Sequence, residues 1–410
     1  MDFLNAIRPL YILSRCLAAT PYIPAFYSGS TLQTRIFNIL HVAWTLVILS
    51  VIMAGFFMCI QDVHVKLTEN PGQILSHMFS SPVNFVNSIV YIIIMATASR
   101  NKFLRLLEKM CKIDEILLVG NDADVYRKTY RYLIIEILTI FLLLFPFLGY
   151  DVYYIWKFSN TNYEVLSRFS VTVSLMLVIQ YVNLMNYLKN RLRLLDDHIS
   201  STFFCLHDHR MMAQRKFRGW QIKKQDASVS TVLELRKYPG MSSQQMISCV
   251  LKYRQQYNEI FEASHLVNSV YGIGILVSTF YSFVSTVNNT YFFFVDTIKN
   301  YDKPAEYYTV THMCWAVVAL GKVAIICLSC HSVLDQVYSI SHNIQRIQLQ
   351  EAMKEDVSRH LEKFSYQVSN NNIQFTAFGF FSIKLSFLYT FIASSVTYVI
   401  VLIQFNFKSN

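Results

Sequence analysis

Residues 375–405 are FTAFGFFSIKLSFLYTFIASSVTYVIVLIQF. The pattern is that of an apolar helix with a hidden polar edge. At steps of three or four, Ser386, Thr390, Ser394, Thr397, Val401 and Gln404 fall on one face, while most other positions are large and apolar. One face suits lipid or protein and the other suits water. In a chain with further membrane-length segments, such a helix is a candidate pore lining. Small polar residues also mediate helix packing in membranes, so the pattern alone leaves both readings open.

The rest of the chain supplies those segments. Of 410 residues, 53% are hydrophobic and only 15% charged, a balance that points to a polytopic membrane protein and leaves no room for an ordinary soluble domain. A spanning helix needs about 20 mainly apolar residues to cross roughly 30 Å of hydrocarbon. Seven segments qualify: 37–60, 82–99, 132–156, 169–188, 264–295, 308–330 and 384–405. The second is short, and the fourth contains Gln180 and Asn183.

Loops rich in Lys and Arg stay in the cytoplasm. The connection between the second and third segments carries Arg100, Lys102, Arg105, Lys109, Lys112, Arg127, Lys128 and Arg131, and the connection between the fourth and fifth is richer still. The alternate connections hold only Lys66, then Lys157 and Arg168, then Lys299 and Lys303. The expected fold class is therefore all-α, a seven-transmembrane helix protein of inverted topology, with its N-terminus inside and its C-terminus outside. Because topology accounts for the net charge of +10, no nucleic-acid partner is expected.

The run Arg210 to Lys224 mixes basic residues with Phe217 and Trp220, and reads as a solvated loop or a segment for the anionic inner leaflet. Residues 1–30 read as a short cytoplasmic or interfacial helix ended by Pro21 and Pro24, without a signal peptide. The charged stretch Asn343 to Ser369 reads as one soluble helix before the last span.

Chemistry-bearing motifs mostly dissolve. Cys327-Leu-Ser-Cys330-His331 has the spacing of covalent haem attachment but lies inside an apolar helix. Cys205, His207, Asp208 and His209 crowd one loop without a second ligand pair, so neither metal nor other cofactor is expected. Glu136 and Lys322 are charges within spans, which either pair, snorkel, or serve gating. With no nucleophile beside a base, no paired carboxylates and no phosphate loop, an enzyme is not expected.

The fifth segment carries the best clue to a ligand. It is longer than a bilayer requires, and its distal half is polar: Ser278, Thr279, Tyr281, Ser282, Ser285, Thr286, Asn288, Asn289, Thr290 and Tyr291. The sixth segment opens with Tyr308, Thr311, His312 and Trp315, and the third ends with Tyr150, Asp151, Tyr153, Tyr154 and Trp156. Together these describe a water-accessible aromatic pocket among the outer helix ends. The expected ligand contacts are Asp151, Tyr154, Tyr281, Asn289, Thr290, Tyr291, Tyr308, Thr311, His312 and Trp315. An interfacial aromatic belt would explain the rings without the hydroxyls and amides.

Thr397-Tyr398, five apolar residues and Gln404-Phe405 match the TYhhhhhQF signature of insect gustatory receptors, near the chain terminus where that family carries it. Phe375, Gly379, Phe380 and the N-terminal Arg8-Pro-Leu-Tyr-Ile-Leu-Ser-Arg15 also resemble the family, as does the inverted topology. The resemblance implies a tetrameric ligand-gated cation channel in the plasma membrane, homomeric or mixed with related receptors, lined by the last helix. Its pore and gate residues would be Ser386, Thr390, Ser394, Thr397, Tyr398, Val401, Gln404 and Phe405. Its partners would be a small-molecule tastant, permeant cations and membrane lipid.

The implied organisation is a cytoplasmic segment 1–36, a six-helix ligand-binding bundle 37–330 with a cytoplasmic loop 189–263, an anchor region 331–383, and a pore helix with outer tail 384–410. Typical sugar receptors of this family carry an acidic residue after Thr-Tyr, where this chain has Val399, which leaves a fructose-like or a bitter ligand. A metabotropic receptor and a transporter are the alternatives, though no internal repeat supports the latter.

Overall fold

The computed structural model describes residues 3–21, 31–69, 71–118, 122–159, 162–222, 242–298, 305–349, 355–371 and 373–408. In chain order the helices are α1 (Phe3–Cys16), α2 (Thr31–Glu69), α3 (Pro71–Ala96), α4 (Arg100–Leu117), α5 (Asp122–Tyr154), α6 (Asn162–Ile222), α7 (Ser243–Ile298), α8 (Ala305–Gln348), α9 (Glu355–Asn370) and α10 (Leu385–Lys408). A π-helical turn, Ile155–Ser159, extends α5, and two-residue strands β1 (Thr376–Ala377) and β2 (Phe381–Ser382) pair antiparallel. Among the described residues, six helices are long and apolar enough to cross a membrane. A seventh crossing requires α3 and α4 to act together, and these bend by 66° at Thr97–Ser99. The second expected segment is thus half of a bent pair.

Two compact units divide the chain. The first comprises residues 1–185, 265–331 and 375–410. Within it α2 packs on α3, and α1 on α5. Close approaches depend on missing side chains: a Cβ on Gly274 of α7 would lie 2.6 Å from Leu177 Cδ1 of α6. Gln180, unusual in an apolar segment, organises the interior. Its Oε1 faces the hydroxyls of Tyr91 at 2.9 Å and Tyr271 at 3.1 Å, and its Nε2 donates to Ala19 O at 3.3 Å. Buried polar groups in a spanning bundle must find partners of this kind, because no solvent is there to supply them.

The second unit comprises residues 186–264 and 332–374. Its helices carry buried stripes at alternating steps of three and four: Leu188, Leu192, Leu195 and Ile199 on α6, Val333, Val337, Ile340, Ile344 and Ile347 on α8, and Val357, Leu361, Phe364 and Val368 on α9. Asp196 is buried and accepts hydrogen bonds from Gln336 at 3.1 Å, Ser339 at 2.7 Å and Asn343 at 2.7 Å. Three neutral donors on α8 thus satisfy one carboxylate, and the arrangement fixes the register between the two helices.

Several expectations change. The stretch before Leu385 is not helical: Phe378 and Gly379 take positive φ, 52° and 80°, and the chain folds back through the β1–β2 hairpin. The hairpin sits against Gly272, where a Cβ would lie 3.1 Å from Phe378 N. Residues 343–369 divide between the end of α8 and α9 instead of forming one helix. Helix α1 stops at Cys16, ahead of Pro21, because Ala18 adopts φ 53° and the Ala19 amide turns back to Ser14 O at 2.8 Å. Pro24 lies outside the described residues. Helix α6 runs on to Ile222, into the region read as a loop, since nothing in its buried stripe stops it, whereas α7 begins at Ser243, where a helical pattern is expected to resume from about Gln244 into the fifth span. The side chains of Cys205 to Ile222 and all of residues 223–241 lie outside the described set, so the basic run and the candidate metal cluster do too.

Candidate functional site: a buried polar cluster and an exposed polar stripe

The distal half of α7 turns its polar residues inward. Ser278, Thr279, Tyr281, Ser282, Ser285, Thr286 and Asn289 are all buried, which a belt of interfacial side chains would not produce. Tyr281 and Trp315 pack with Val171 of α6, flanked by Phe147, Leu148, Leu175, Val83 and Val318. The Trp315 indole donates to Asp151 Oδ2 at 3.2 Å, and the Arg168 guanidinium pairs with the same oxygen at 2.7 Å while lying 4.8 Å from the Trp315 ring centre. Asp151, only 1% exposed, is thereby held in place by an ion pair and an indole.

A second knot lies beside Tyr281. Lys322 of α8 is buried, with Nζ 4.5 Å from the centre of the Tyr281 ring and 3.4 Å from Ser174 Oγ. Ser174 accepts a hydrogen bond from Asn87 Nδ2 at 2.9 Å and stands 3.5 Å from Ser278 Oγ. Four helices, α3, α6, α7 and α8, meet at this hydroxyl. Lys322 neither snorkels nor pairs with Glu136, which faces Asn183 of α6.

Asn289 completes the α7 row. Its Nδ2 donates to Ser285 O at 2.7 Å, so its Oδ1 is the acceptor facing His312 Nδ1 at 3.0 Å, and that ring nitrogen carries the proton. Phe292 stacks on the His312 ring with centres 5.2 Å apart. The hydroxyls of Ser282 and Thr311 are buried without a hydrogen-bond partner among the described residues.

The expected ligand contacts therefore separate. Asp151, Tyr281, Asn289, Thr311, His312 and Trp315 occupy the buried or half-buried interior. Thr290 and Tyr291 are half-buried on α7, and Tyr154 packs its ring on Tyr150 at 4.8 Å. Tyr150, Tyr153 and Trp156 face outward and behave as a belt, while the side chain of Tyr308 lies outside the described set. Lys322, Ser174, Asn87 and Arg168 were missed as site residues. A charge inside a span was the available signal for Lys322; for Ser174 and Asn87 there was none beyond helix-face position.

Helix α10 shows the opposite arrangement. Phe391, Ser395 and Val399 are buried against the chain, and Phe283 of α7 meets Phe391 and Tyr398 edge-on at 5.6 Å each. Tyr398 thus sits at the seam, although much of it stays exposed. Ser386, Thr390, Thr397, Val401, Gln404 and Phe405 are exposed and Ser394 is half-buried. Cys330 of the CxxCH run is buried with Sγ 3.1 Å from the Tyr181 hydroxyl, a packing role. No cluster of three His, Cys, Asp or Glu placed for a metal occurs among the described residues.

Comparison with known proteins gives this arrangement a family. The chain is 26% identical over 144 residues to gustatory receptor 68a of Drosophila melanogaster, covering 34% of this chain and 36% of that protein. It is 30% identical over 135 residues to gustatory and pheromone receptor 32a of the same organism, covering 32% and 28%. A third Drosophila melanogaster relative is 24% identical over 208 residues, 46% of this chain and 48% of its own length. Each alignment thus spans less than half of the curated relative it matches. In fold, the chain is similar to the insect olfactory receptor OR5 from Machilis hrabei, free and in complex with eugenol, with a TM-score of 0.62, 16% identity and 98% of both chains covered. The family model of the 7tm chemosensory receptor matches residues 7–409, and this multi-pass membrane protein belongs to that family.

Proposed function

We propose that the protein is a gustatory receptor of the plasma membrane that works as a ligand-gated, poorly selective cation channel opened by a small-molecule tastant. The observation that carries this reading is a contrast between two exposed helix surfaces. Helix α5 exposes hydrocarbon and rings, including Ile135, Leu138, Phe141, Leu142, Leu143 and Phe145, as a lipid-facing helix should. Helix α10 is almost as uncovered, yet its exposed side bears Ser386, Thr390, Thr397 and Gln404. A polar stripe facing lipid is unfavourable, so the stripe needs water or further copies of the chain.

Four copies around an axis, identical or mixed with related receptors, would place the stripe on a central pore and the uncharged Gln404 ring at its outer gate. The N-terminus is then cytoplasmic and the C-terminus external, residues 331–383 form a shared anchor, and the cluster around Trp315 and Tyr281 is the ligand site near the outer face. Ligand opens the pore by binding the open arrangement of α10 better than the closed one. The structural neighbour in complex with eugenol supports a small organic ligand; fructose-like sugars and bitter compounds are the two classes expected.

Current in excised patches containing only this protein, without nucleotide, tests the reading. Prompt ligand-evoked current whose conductance or gating changes in Gln404→Ala is expected. Ligand-evoked signalling without current in such patches would return the metabotropic reading.

A further inference from the structure

We infer that the ligand of this receptor carries an anionic group, a carboxylate or its equivalent on an apolar body, and that Lys322 is its counter-charge. The inference rests on the reading of the Trp315–Tyr281 cluster as the ligand site. Three ionisable side chains, Arg168, Asp151 and Lys322, lie in that interior. Arg168 and Asp151 neutralise one another at 2.7 Å. Lys322 is left over: among the described residues no carboxylate lies within ion-pair distance of Nζ, whose partners are a hydroxyl at 3.4 Å and the face of Tyr281 at 4.5 Å. Neutral contacts of this kind offset only part of what a buried cation loses on leaving water.

The surroundings of the lysine fit a bound anion better than a structural role. Ser174 is a hydroxyl shared by Asn87, Ser278 and Lys322, able to turn and donate to an incoming oxygen. Asn87 Oδ1 is buried without a partner among the described residues, so a hydroxyl or amine neighbouring the anion would find an acceptor there. Phe147, Val171, Tyr281 and Trp315 form the adjoining apolar cluster, whose chemistry suits a ring or short hydrocarbon. Of the two ligand classes expected, a neutral fructose-like sugar gives Lys322 no counter-charge, whereas an acidic bitter compound does.

The test uses the full chain in nanodiscs with a matched pair of probes, 3-phenylpropanoate and 3-phenylpropanamide, and with oleate as an acid delivered from the bilayer. The wild type is expected to bind an acid at least about tenfold more tightly than the amide, close to the lower end of what one charge-assisted hydrogen bond contributes. Lys322→Met should lose that preference and Lys322→Arg retain part of it. Lys322→Met should also melt no lower than wild type, since it replaces a buried ionisable group that faces no carboxylate with an apolar side chain of similar length. Preference for phenylpropanoate or for oleate each supports the inference and names the source, aqueous or lipid.

Equal binding of acid and amide overturns the inference, as does a preference that survives in Lys322→Met, or failure of every probe to bind at millimolar concentration. Equal acid and amide binding that Trp315→Ala abolishes leaves the site reading standing and removes only the ligand class. Binding that both Trp315→Ala and Tyr281→Ala leave unchanged removes both.

Discussion

Helices α7 and α10 each interrupt an apolar span with a row of small polar residues, and the chain treats the two rows in opposite ways. On α7, Ser278, Ser282, Ser285 and Asn289 are folded inside, against α6 and α8. On α10, Ser386, Thr390, Thr397 and Gln404 are left outside, while Phe391 and Val399 make the contact. Spacing along the sequence is alike; what differs is the partner. On α7, Ser278 reaches Ser174 and Asn289 meets His312 across helices, although the Ser282 hydroxyl stays unpartnered among the described residues; on α10, Thr390 bonds within its own helix to Ser386 O at 3.1 Å and Thr397 to Ala393 O at 2.9 Å. A polar row turned inward belongs to a site or a core, and one left outside marks a surface suited to water or to a further copy of the chain.

The largest way to break this comparison is to open the closed end of the α7 cluster. Asp151→Ala removes the acceptor shared by Arg168 and Trp315 and strands a guanidinium beside an indole. Because Arg168 is 26% exposed and partly solvated, the loss should fall near the lower end of the range for broken buried pairs, about 3 kcal/mol. Thermal unfolding in detergent measures it, and ligand-evoked current should disappear. A loss under about 1 kcal/mol, the range of exposed pairs, would mean that the interior is wetter than its burial implies.

Filling the α7 row comes next. Ser282→Leu adds bulk at a position 1% exposed and should destabilise by about 2 kcal/mol. If the variant is instead as stable as wild type, the row borders a cavity with room for a side chain, which moves the ligand site toward Ser282. Either result sharpens the account of the α7 face.

How far this was legible in the sequence depended on what kind of signal each element gave. Apolar runs such as 132–156 and 384–405 announced themselves by length. The inward turn of the α7 hydroxyls followed from their number, since a belt needs rings and not Ser278, Ser282 and Ser285. The extension of α6 beyond its span was hidden because the signal changes there, from an unbroken apolar run to a stripe of Leu188, Leu192, Leu195 and Ile199 in a charged background. The hairpin at 376–382 was masked by its aromatic density, with Gly379 the one local hint. The Ser174 knot was beyond reach because each of its partners lies 87 or more positions from Ser174 along the chain, and only packing brings Asn87, Ser278 and Lys322 to one hydroxyl. Arg168 was read as a loop charge; its membership in the site depends on where α6 begins.

A finer probe asks what one hydrogen bond at depth contributes. Tyr271→Phe removes a donor to Gln180 Oε1 and leaves Tyr91 on the same oxygen. The expected loss is about 1 kcal/mol, because the acceptor keeps one partner. A loss well beyond that would show the Tyr91–Gln180–Tyr271 group acting cooperatively, with the interior of the bundle more rigid than pairwise contacts suggest.

The smallest expected effect is the most discriminating. Thr390→Val keeps the shape of an exposed α10 residue and deletes its hydroxyl, so unfolding of the single chain should change by no more than about 0.5 kcal/mol. If the stripe faces water in a pore, single-channel conductance should change while the ligand concentration for half-activation stays put, because the substitution touches the permeation path and not the site on α7 and α8. A variant that instead loses stability comparable with Ser282→Leu would show the α10 row to be a packing face like the α7 row. The two polar rows would then be one device used twice, and the pore would have to be sought on another helix.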